Sequence, residues 1–286
     1  MTEQEKLEKK KKRTKRCCIT ITVFFITCML IIPLVSVIVN SLKEGIGFYI
    51  RSISTEYVRS ALGVTFLATV IAVVINTFFG ICAAWLLTKF SFRGKQILAT
   101  LIDIPFSISP VIVGLAYLMT FGRLGWFYPV IRAFNQFFGT NVRITFAIPG
   151  VVLATIFVTF PFVSREIIPV LESIGSDEEE AAALMGAKGW TIFTKVTFPH
   201  IKWAFLYGVV LCTARAMGEF GAVSVLSGHL RGKTNTLPLH VEILYNEFQY
   251  VPAFAVSSIL VILAVILLIA RNVLEHKGKG EKGDVR

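Results

Sequence analysis

Arg215 and Glu219 are the sharpest chemical signal in this sequence. They stand four residues apart in Trp203 to Leu230, a stretch with no other Asp, Glu, Lys or Arg. At helical spacing the two share a face. A charge inside an apolar run is costly in a membrane and marks a functional pair by default. An arginine beside a permeation path attracts an anion, and a carboxylate next to it tempers the attraction so that the anion is not trapped. A structural ion pair that orients helices is the competing reading. The small residues Ala214, Gly218 and Ala222 lie beside the pair and favour close helix packing. Both readings stay open at this point.

The second signal is Asp103-Ile-Pro-Phe-Ser-Ile-Ser-Pro110. Proline removes a backbone donor and leaves carbonyls that need other partners. Interrupted helices of this kind line cavities in transporters. Ser107 and Ser109 sit between Pro105 and Pro110 and are candidates for the wall of a path. A kink that serves packing is the alternative. Asp103 is placed near a membrane border, facing polar loop groups.

Other chemistries lack their residues. His200, His229, His240 and His276 have no metal-ligand spacing. Cys17, Cys18, Cys28, Cys82 and Cys212 contain no CxxC pair and sit in or beside apolar runs, which argues against a disulfide framework or a zinc site. Gly228 to Thr234 resembles a phosphate loop but has three residues between its glycines where four are required. No Ser-His-Asp arrangement is evident, and a membrane-embedded hydrolase is disfavoured.

The elements that must position these residues follow from composition. The chain has 286 residues, 55% hydrophobic and 16% charged, with mean hydropathy +0.70. Soluble domains carry about a quarter charged residues. About 20 apolar residues cross a bilayer as a helix. Stretches free of Asp, Glu, Lys and Arg, or nearly so, run from Cys17 to Leu42, Ser60 to Thr88, Gln96 to Gly122, Ile144 to Ser164, Trp203 to Leu230 and Phe248 to Ala270. The expectation is an all-α polytopic membrane protein with six spans. The first is read as a retained helix, since its apolar part is too long for a signal peptide.

Lysine and arginine set the orientation. With the N-terminus inside, the inside segments hold 20 of the 29 and the outside loops 8. Both termini are therefore expected on the cytoplasmic side. The net charge of +11 is then mostly a topology signal, with no nucleic-acid partner implied. The basic, mixed-charge ends, 1–16 and His276 to Arg286 within the cytoplasmic tail 271–286, read as disordered and surface-associated.

The loop between the fourth and fifth spans, residues 172–202, reads as two short helices and a turn. Ser176 or Asp177 caps the first helix. Asp177 to Glu180 put negative charge on its first turn, where the helix dipole favours it. Ala181 to Ala183 are strong helix formers without bulk. Gly186 and Gly189 end the helix and allow a sharp turn. Trp190 to Phe198 form a second stretch, which Pro199 closes before the next span. A small-residue helix of this kind docks into a groove on a soluble partner and ties it to a membrane helix.

Glu180-Ala181-Ala182, three residues, Gly186, nine residues, then Val196-x-Phe198-Pro199 resembles the coupling motif of ABC importer permeases. The family pattern is Glu-Ala-Ala, three residues, Gly, nine residues, Ile-x-Leu-Pro. Val196 and Phe198 are apolar replacements within it. The resemblance covers roughly residues 57–270, behind a first helix at 17–42. It implies a type I importer permease fold and a coupling loop that meets two ATPase subunits, which bind the ATP. It implies a second permease subunit, expected to be a different chain, and an extracytoplasmic binding protein. It also implies residence in a bacterial-type inner membrane. Ala214 to Ala222 and Ser227 to Glu247 resemble permeases of oxyanion importers, the second stretch those for sulfate and thiosulfate. The resemblance thus implies an oxyanion cargo, with molybdate as the alternative. An ATPase-independent secondary transporter is the less favoured class. No cofactor and no catalytic group is expected in the chain itself.

Overall fold

The computed structural model describes residues 3–283, with side chains described from 10 to 276. All regular structure among them is helical. A first run holds α1 (Glu3–Ile26), a π turn at Thr27–Ile31 and α2 (Ile32–Ser41), followed by α3 (Ile46–Ile53) and the long α4 (Glu56–Lys89). Then come α5 (Lys95–Ser107), α6 (Pro110–Phe121), α7 (Tyr128–Phe138), α8 (Ile148–Thr159) and α9 (Pro161–Ile174). The remainder is α10 (Asp177–Leu184), α11 (Gly189–Ile192), a π turn at Phe193–Thr197, α12 (Phe198–Met217), α13 (Gly221–Leu226), α14 (Leu237–Asn246) and α15 (Tyr250–Gly283). Five of the runs are long and apolar enough to cross a bilayer, and α5 with α6 makes a sixth, bent by 106°. Large apolar side chains such as Phe24, Phe66, Phe78 and Ile266 point outward from them. Those are the surfaces that lipid solvates.

The bundle closes where side chains are smallest. Helix α4 buries Ala61, Thr65, Ala68, Ala72, Asn76, Gly80 and Ala84, a stripe spaced at three or four residues. Small residues at that spacing let helix backbones approach in lipid, where water supplies no driving force. A Cβ on Gly80 would stand 3.0 Å from the Val163 side chain and 3.3 Å from the Ser164 nitrogen. One on Gly208 of α12 would stand 3.1 Å from the Val163 Cα. Two helices thus press on α9 at one residue, each through a glycine. Asn76 joins this junction: its Nδ2 donates to the Ile156 carbonyl at 3.0 Å and the Thr159 hydroxyl at 2.8 Å.

Four expectations need correction. The terminal tails are not disordered where they are described: α1 starts at Glu3 and α15 reaches Gly283. Lys, Arg and Glu are good helix formers, and a tail that extends an existing helix avoids the nucleation cost. Residues 1–2 and 284–286 of those tails lie outside the described residues. The interruption expected in the third span does form: Pro110 cannot continue α5 and instead starts α6. The fifth span ends at Met217, and Leu230 lies in a loop beyond a further short helix. Pro199 does not close a stretch: Gly189 to Met217 is one continuous run. A π turn precedes both Pro33 and Pro199, and its wider coil makes room where a proline ring would clash with the preceding turn. Gly189 likewise opens α11 and does not end α10.

The loop that resembles a phosphate loop, 228–234, follows a helix and not a strand. Its Thr234 hydroxyl is buried and donates to the Ser227 carbonyl. Close by, Asn235 Nδ2 stands 3.2 Å from His240 Nδ1. Burial, and secondarily the charge of Arg231, push the His240 imidazole below its usual range. A neutral ring accepts that hydrogen bond.

Gly80→Leu is expected to force α4 off α9 and lower stability by about 1–3 kcal/mol through overpacking. Gly63→Leu, on the same helix with nothing within 4 Å of its Cβ position, is expected to leave stability unchanged. Thermal unfolding of both variants in one detergent checks the difference.

Candidate functional site

Helices α8 and α9 together span 27 residues, about 40 Å at 1.5 Å per residue. They carry the chain from the loop at 139–147 to Gly175. These loops mark opposite ends of the molecule, and the candidate residues fall into two groups along that axis.

The first group is the loop at 172–202. Gly175 turns the chain at φ 74°, and α10 begins with four acids in its first turn. Glu180 is occupied locally: its N–H donates to the Ser176 carbonyl at 2.9 Å, and the Ser176 hydroxyl donates to its Oε1 at 2.7 Å. The helix ends in a Schellman motif, with Gly186 N–H on the Ala183 carbonyl at 2.9 Å and Ala187 N–H on the Ala182 carbonyl at 3.0 Å. Gly186 sits at φ 84°, a conformation a branched residue avoids. Beyond Ala181 and Ala182 the tip presents Leu184, 89% exposed, Met185, 86% exposed, and Trp190. Nothing within the described chain covers that apolar tip.

The root of the loop is fastened by residues the sequence reading passed over. Lys89, at the end of α4, pairs with Glu179 Oε2 at 3.0 Å, with side chains only 10% and 19% exposed. The Thr197 hydroxyl donates to Glu179 Oε1 at 2.6 Å, and Lys89 also donates to the Gly175 carbonyl. One carboxylate therefore joins α4, α10 and the π turn before α12. A charge pair this shielded, with further hydrogen bonds on both partners, leaves an uncompensated charge if one partner is removed. Glu178 with His200 at 2.8 Å is a second tie, more exposed. In sequence Glu179 was one of four acids on a helix dipole and Lys89 one count in a topology tally. Only their spacing from Gly175 and Thr197 in three dimensions singles them out.

The second half of the motif plays another part. Val196 is half-buried and Phe198 packs among the buried residues around Ile167 and Ile201. Phe198 also joins a run of rings: Trp190 on Phe193, Phe193 on Phe198 and Phe198 on Phe205, with centroids 5.8, 6.2 and 5.8 Å apart. Pro199 is exposed in the first turn of α12. Glu180, Ala181 and Gly186 are thus exposed and Ala182 half-buried, while of the second half Phe198 packs against the membrane helices.

The second group lies deep in the bundle, where two broken helices meet. The α5–α6 break holds Ser107 and Ser109, both exposed. The break after α12 holds Gly218 and Glu219. A Cβ on Gly221 would stand 3.0 Å from Pro110 Cβ, and one on Gly114 would stand 2.7 Å from the Ala222 carbonyl. The two breaks are therefore in contact through glycine. Arg215 Nη1 reaches Glu219 Oε2 at 2.8 Å. The pair does form, but not as two residues on one continuous helix. Gly218 ends α12, and the Glu219 Oε1 accepts the Ala222 N–H at 3.0 Å. Glu219 is buried, whereas Arg215 remains about a third exposed. The carboxylate thus closes the break, and the guanidinium keeps an open side.

Asp103 also departs from expectation. Its carboxylate takes a bidentate bond from Arg165 at 2.9 and 3.3 Å, and Arg165 lies 4.6 Å from the Phe106 ring centre. Asp103 stands eight residues into α5, about 12 Å from its start, and Arg165 lies inside the run that ends at Ile174. Both side chains are about half exposed. At that depth an open charge pair needs water or another protein chain on its free side. In the sequence Arg165 stands just past the apolar stretch Ile144 to Ser164 and 62 residues from Asp103, so nothing local pairs the two. No cluster of His, Cys, Asp or Glu among the described residues is arranged to hold a metal ion.

Comparison with known proteins agrees with this geometry. Residues 76–279 match the family described as "Binding-protein-dependent transport system inner membrane component". The chain is 42% identical over 265 residues to the sulfate transport system permease protein CysW of Synechocystis, covering 93% of this chain and 94% of that one. It is 44% identical over 249 residues to the sulfate transport system permease protein CysW of Escherichia coli, covering 87% and 84%. In fold it resembles a chain of a bacterial ABC transporter that imports the polysaccharide alginate, with TM-score 0.75 at 16% identity, covering 97% and 99%. The chain belongs to the family of inner-membrane components of binding-protein-dependent transport systems.

Proposed function

We propose that this chain is the membrane-spanning permease subunit of an ATP-driven importer that carries sulfate, and with it thiosulfate, into the cell. The observation that supports the cargo is the identity of 42–44% to sulfate permeases across about nine-tenths of the chain. The docking loop supports the energy source. Its exposed tip, Leu184, Met185 and Trp190, is shaped to sit in a groove of a separate ATPase subunit, two of which would serve a pair of permeases. The second permease is expected to be a different chain, and an extracytoplasmic binding protein delivers the anion. The lysine and arginine asymmetry supports a cytoplasmic side for the loop and both termini.

In this reading ATP is bound by the partner subunits, and the chain conducts and couples. Motion of the ATPase pair displaces α10. The Glu179 carboxylate passes that displacement to α4 through Lys89 and to α12 through Thr197. Helix α12 ends at the Arg215–Glu219 break, which touches the α5–α6 break. Moving the docking loop therefore shifts the two breaks against each other and changes which side has access. Arg215 offers an anion its open side, while Glu219 limits the net charge it meets. The Asp103–Arg165 pair faces either the same aqueous path or the second permease.

Uptake of labelled sulfate in cells with and without the chain tests the cargo. Uptake that depends on the chain and on ATP, and that thiosulfate but not molybdate suppresses, is the expected result. Unchanged uptake on deletion, in cells without another sulfate carrier, sinks it.

The coupling route has its own test. Gly186→Val is expected to strain the turn and abolish uptake while the complex still inserts and assembles; wild-type uptake would count against coupling through this loop. Glu179→Gln and Lys89→Met are each expected to lower uptake ~10-fold, the scale of a shared-pair coupling energy, with ATP hydrolysis continuing. The exchanged pair Lys89→Glu with Glu179→Lys should restore part of it. Failure of the exchange to recover any uptake removes the ion pair from the route.

Arg215→Ala is expected to abolish uptake in a complex that still purifies intact. Loss of the assembled complex in that variant assigns Arg215 to packing instead.

A further inference from the structure

At the end of the molecule opposite the docking loop, the segment 118–146 encloses an open cavity of about 960 Å³. Three arginines line it, Arg123, Arg132 and Arg143, and no Asp or Glu does. Among the described residues none of the three is paired with a carboxylate. Glu242 of α14 and Glu247 at its end are taken by other partners, His229 and Arg231.

The walls are fixed. Asn135 Oδ1 accepts the Thr140 hydroxyl at 3.0 Å and the Val142 N–H at 2.9 Å, and its Nδ2 donates to the Val142 carbonyl at 2.9 Å. This holds the 139–142 turn against α7. Phe146, in the uncommon left-handed conformation at φ 55°, donates its N–H to the Leu226 carbonyl at 2.8 Å and so pins the base to the end of α13. Like charges held around a concave, low-dielectric wall concentrate counter-ions. Guanidinium groups match the oxygens of tetrahedral oxyanions with paired donors.

We infer that this cavity is an anion-receiving chamber for a tetrahedral oxyanion group. Its volume is far larger than one such group, so it gathers the anion with part of its water and does not clamp it. Helix α6 runs from the rim at Phe121 to the break at Pro110, 12 residues, about 18 Å. An anion held here is one helix length from the Arg215 break. The use as an antechamber to transport rests on the importer reading; the anion binding itself does not. Two sources carry this chemistry, a free oxyanion and the phosphate of a lipid headgroup. The second arises because α7 turns Phe134 and Phe137 outward, away from Arg132 and Gln136 in the cavity, as an interfacial helix does.

The test needs neither ATP nor the binding protein. Asn141→Cys, in a chain whose five native cysteines are replaced, is reconstituted with its partner subunits in nanodiscs of neutral phosphatidylcholine. Labelling rates are measured with an anionic sulfonate-bearing and a cationic ammonium-bearing thiosulfonate. The anionic-to-cationic ratio is expected to exceed that of free cysteine ~10-fold. It should fall towards the free value in Arg132→Gln and Arg143→Gln. Sulfate should slow the anionic reagent saturably, and chloride at equal ionic strength should not. Repeating the sulfate series in phosphatidylglycerol nanodiscs identifies the source. Protection that persists assigns the chamber to the free oxyanion, and protection already complete without sulfate assigns it to the headgroup. A ratio equal to that of free cysteine and unmoved by either Arg→Gln change overturns the inference, as does identical behaviour of sulfate and chloride. Intact sulfate uptake with a negative result here removes only the chamber. A positive result with no chain-dependent uptake removes only the cargo reading.

Discussion

A peptide group without a hydrogen-bond partner costs several kcal/mol in hydrocarbon, and that cost governs where this chain is allowed to stop being helical. It interrupts two membrane runs, after Ser107 and after Met217, and brings the interruptions into contact through Gly114 and Gly221. At the second, the Glu219 carboxylate takes the Ala222 N–H that the break exposes. An arginine four residues earlier keeps that buried carboxylate paired. The ion pair is thus part of the device that lets the break exist. The carboxylate serves the backbone, and the guanidinium has a side left over.

Proline is handled in two ways. At Pro110 it starts a new helix in a new direction. At Pro33 and Pro199 a π turn just before the proline keeps the run continuous. In the proposed coupling route the second case matters, because a kink after the loop would absorb displacement that a continuous run from Gly189 to Met217 carries towards the Arg215 break. The Glu179 carboxylate and the ring stack from Trp190 to Phe205 hold the base of that run against α4 and α9. Its stiffness comes from small residues, since Gly80 and Gly208 bring three backbones together at Val163.

Charge is sorted along the membrane normal. Carboxylates crowd the docking loop, where they serve a helix dipole and a latch. Unpaired arginines gather at the opposite end, around a cavity without acids. Between them the charges described here come in pairs, Asp103 with Arg165 and Arg215 with Glu219. In the proposed importer an anion would meet attraction first and balanced charge afterwards, an order that admits it without holding it.

The sequence by itself determined the membrane class, the existence of the long apolar runs, and the acidic, alanine-rich helix at 177–184 with its glycine turn. Each follows from a signal carried by neighbouring residues: apolar run length, an acidic first turn before alanines, a glycine where φ must be positive. It also marked Ser107, Ser109, Arg215 and Glu219 as unusual, because polar groups and prolines stand out in an apolar run. Only the tertiary structure decided what those residues touch. Lys89 and Glu179 are 90 positions apart, and Asp103 and Arg165 are 62 apart; in a single sequence each looks like an ordinary charge near a span border. The three arginines of the outer cavity were counted as topology signals, and their convergence depends on how the 139–147 loop folds back on α7. Local signals fix elements because helix formation is local, whereas partners across the bundle are chosen by packing, which one chain's order does not display.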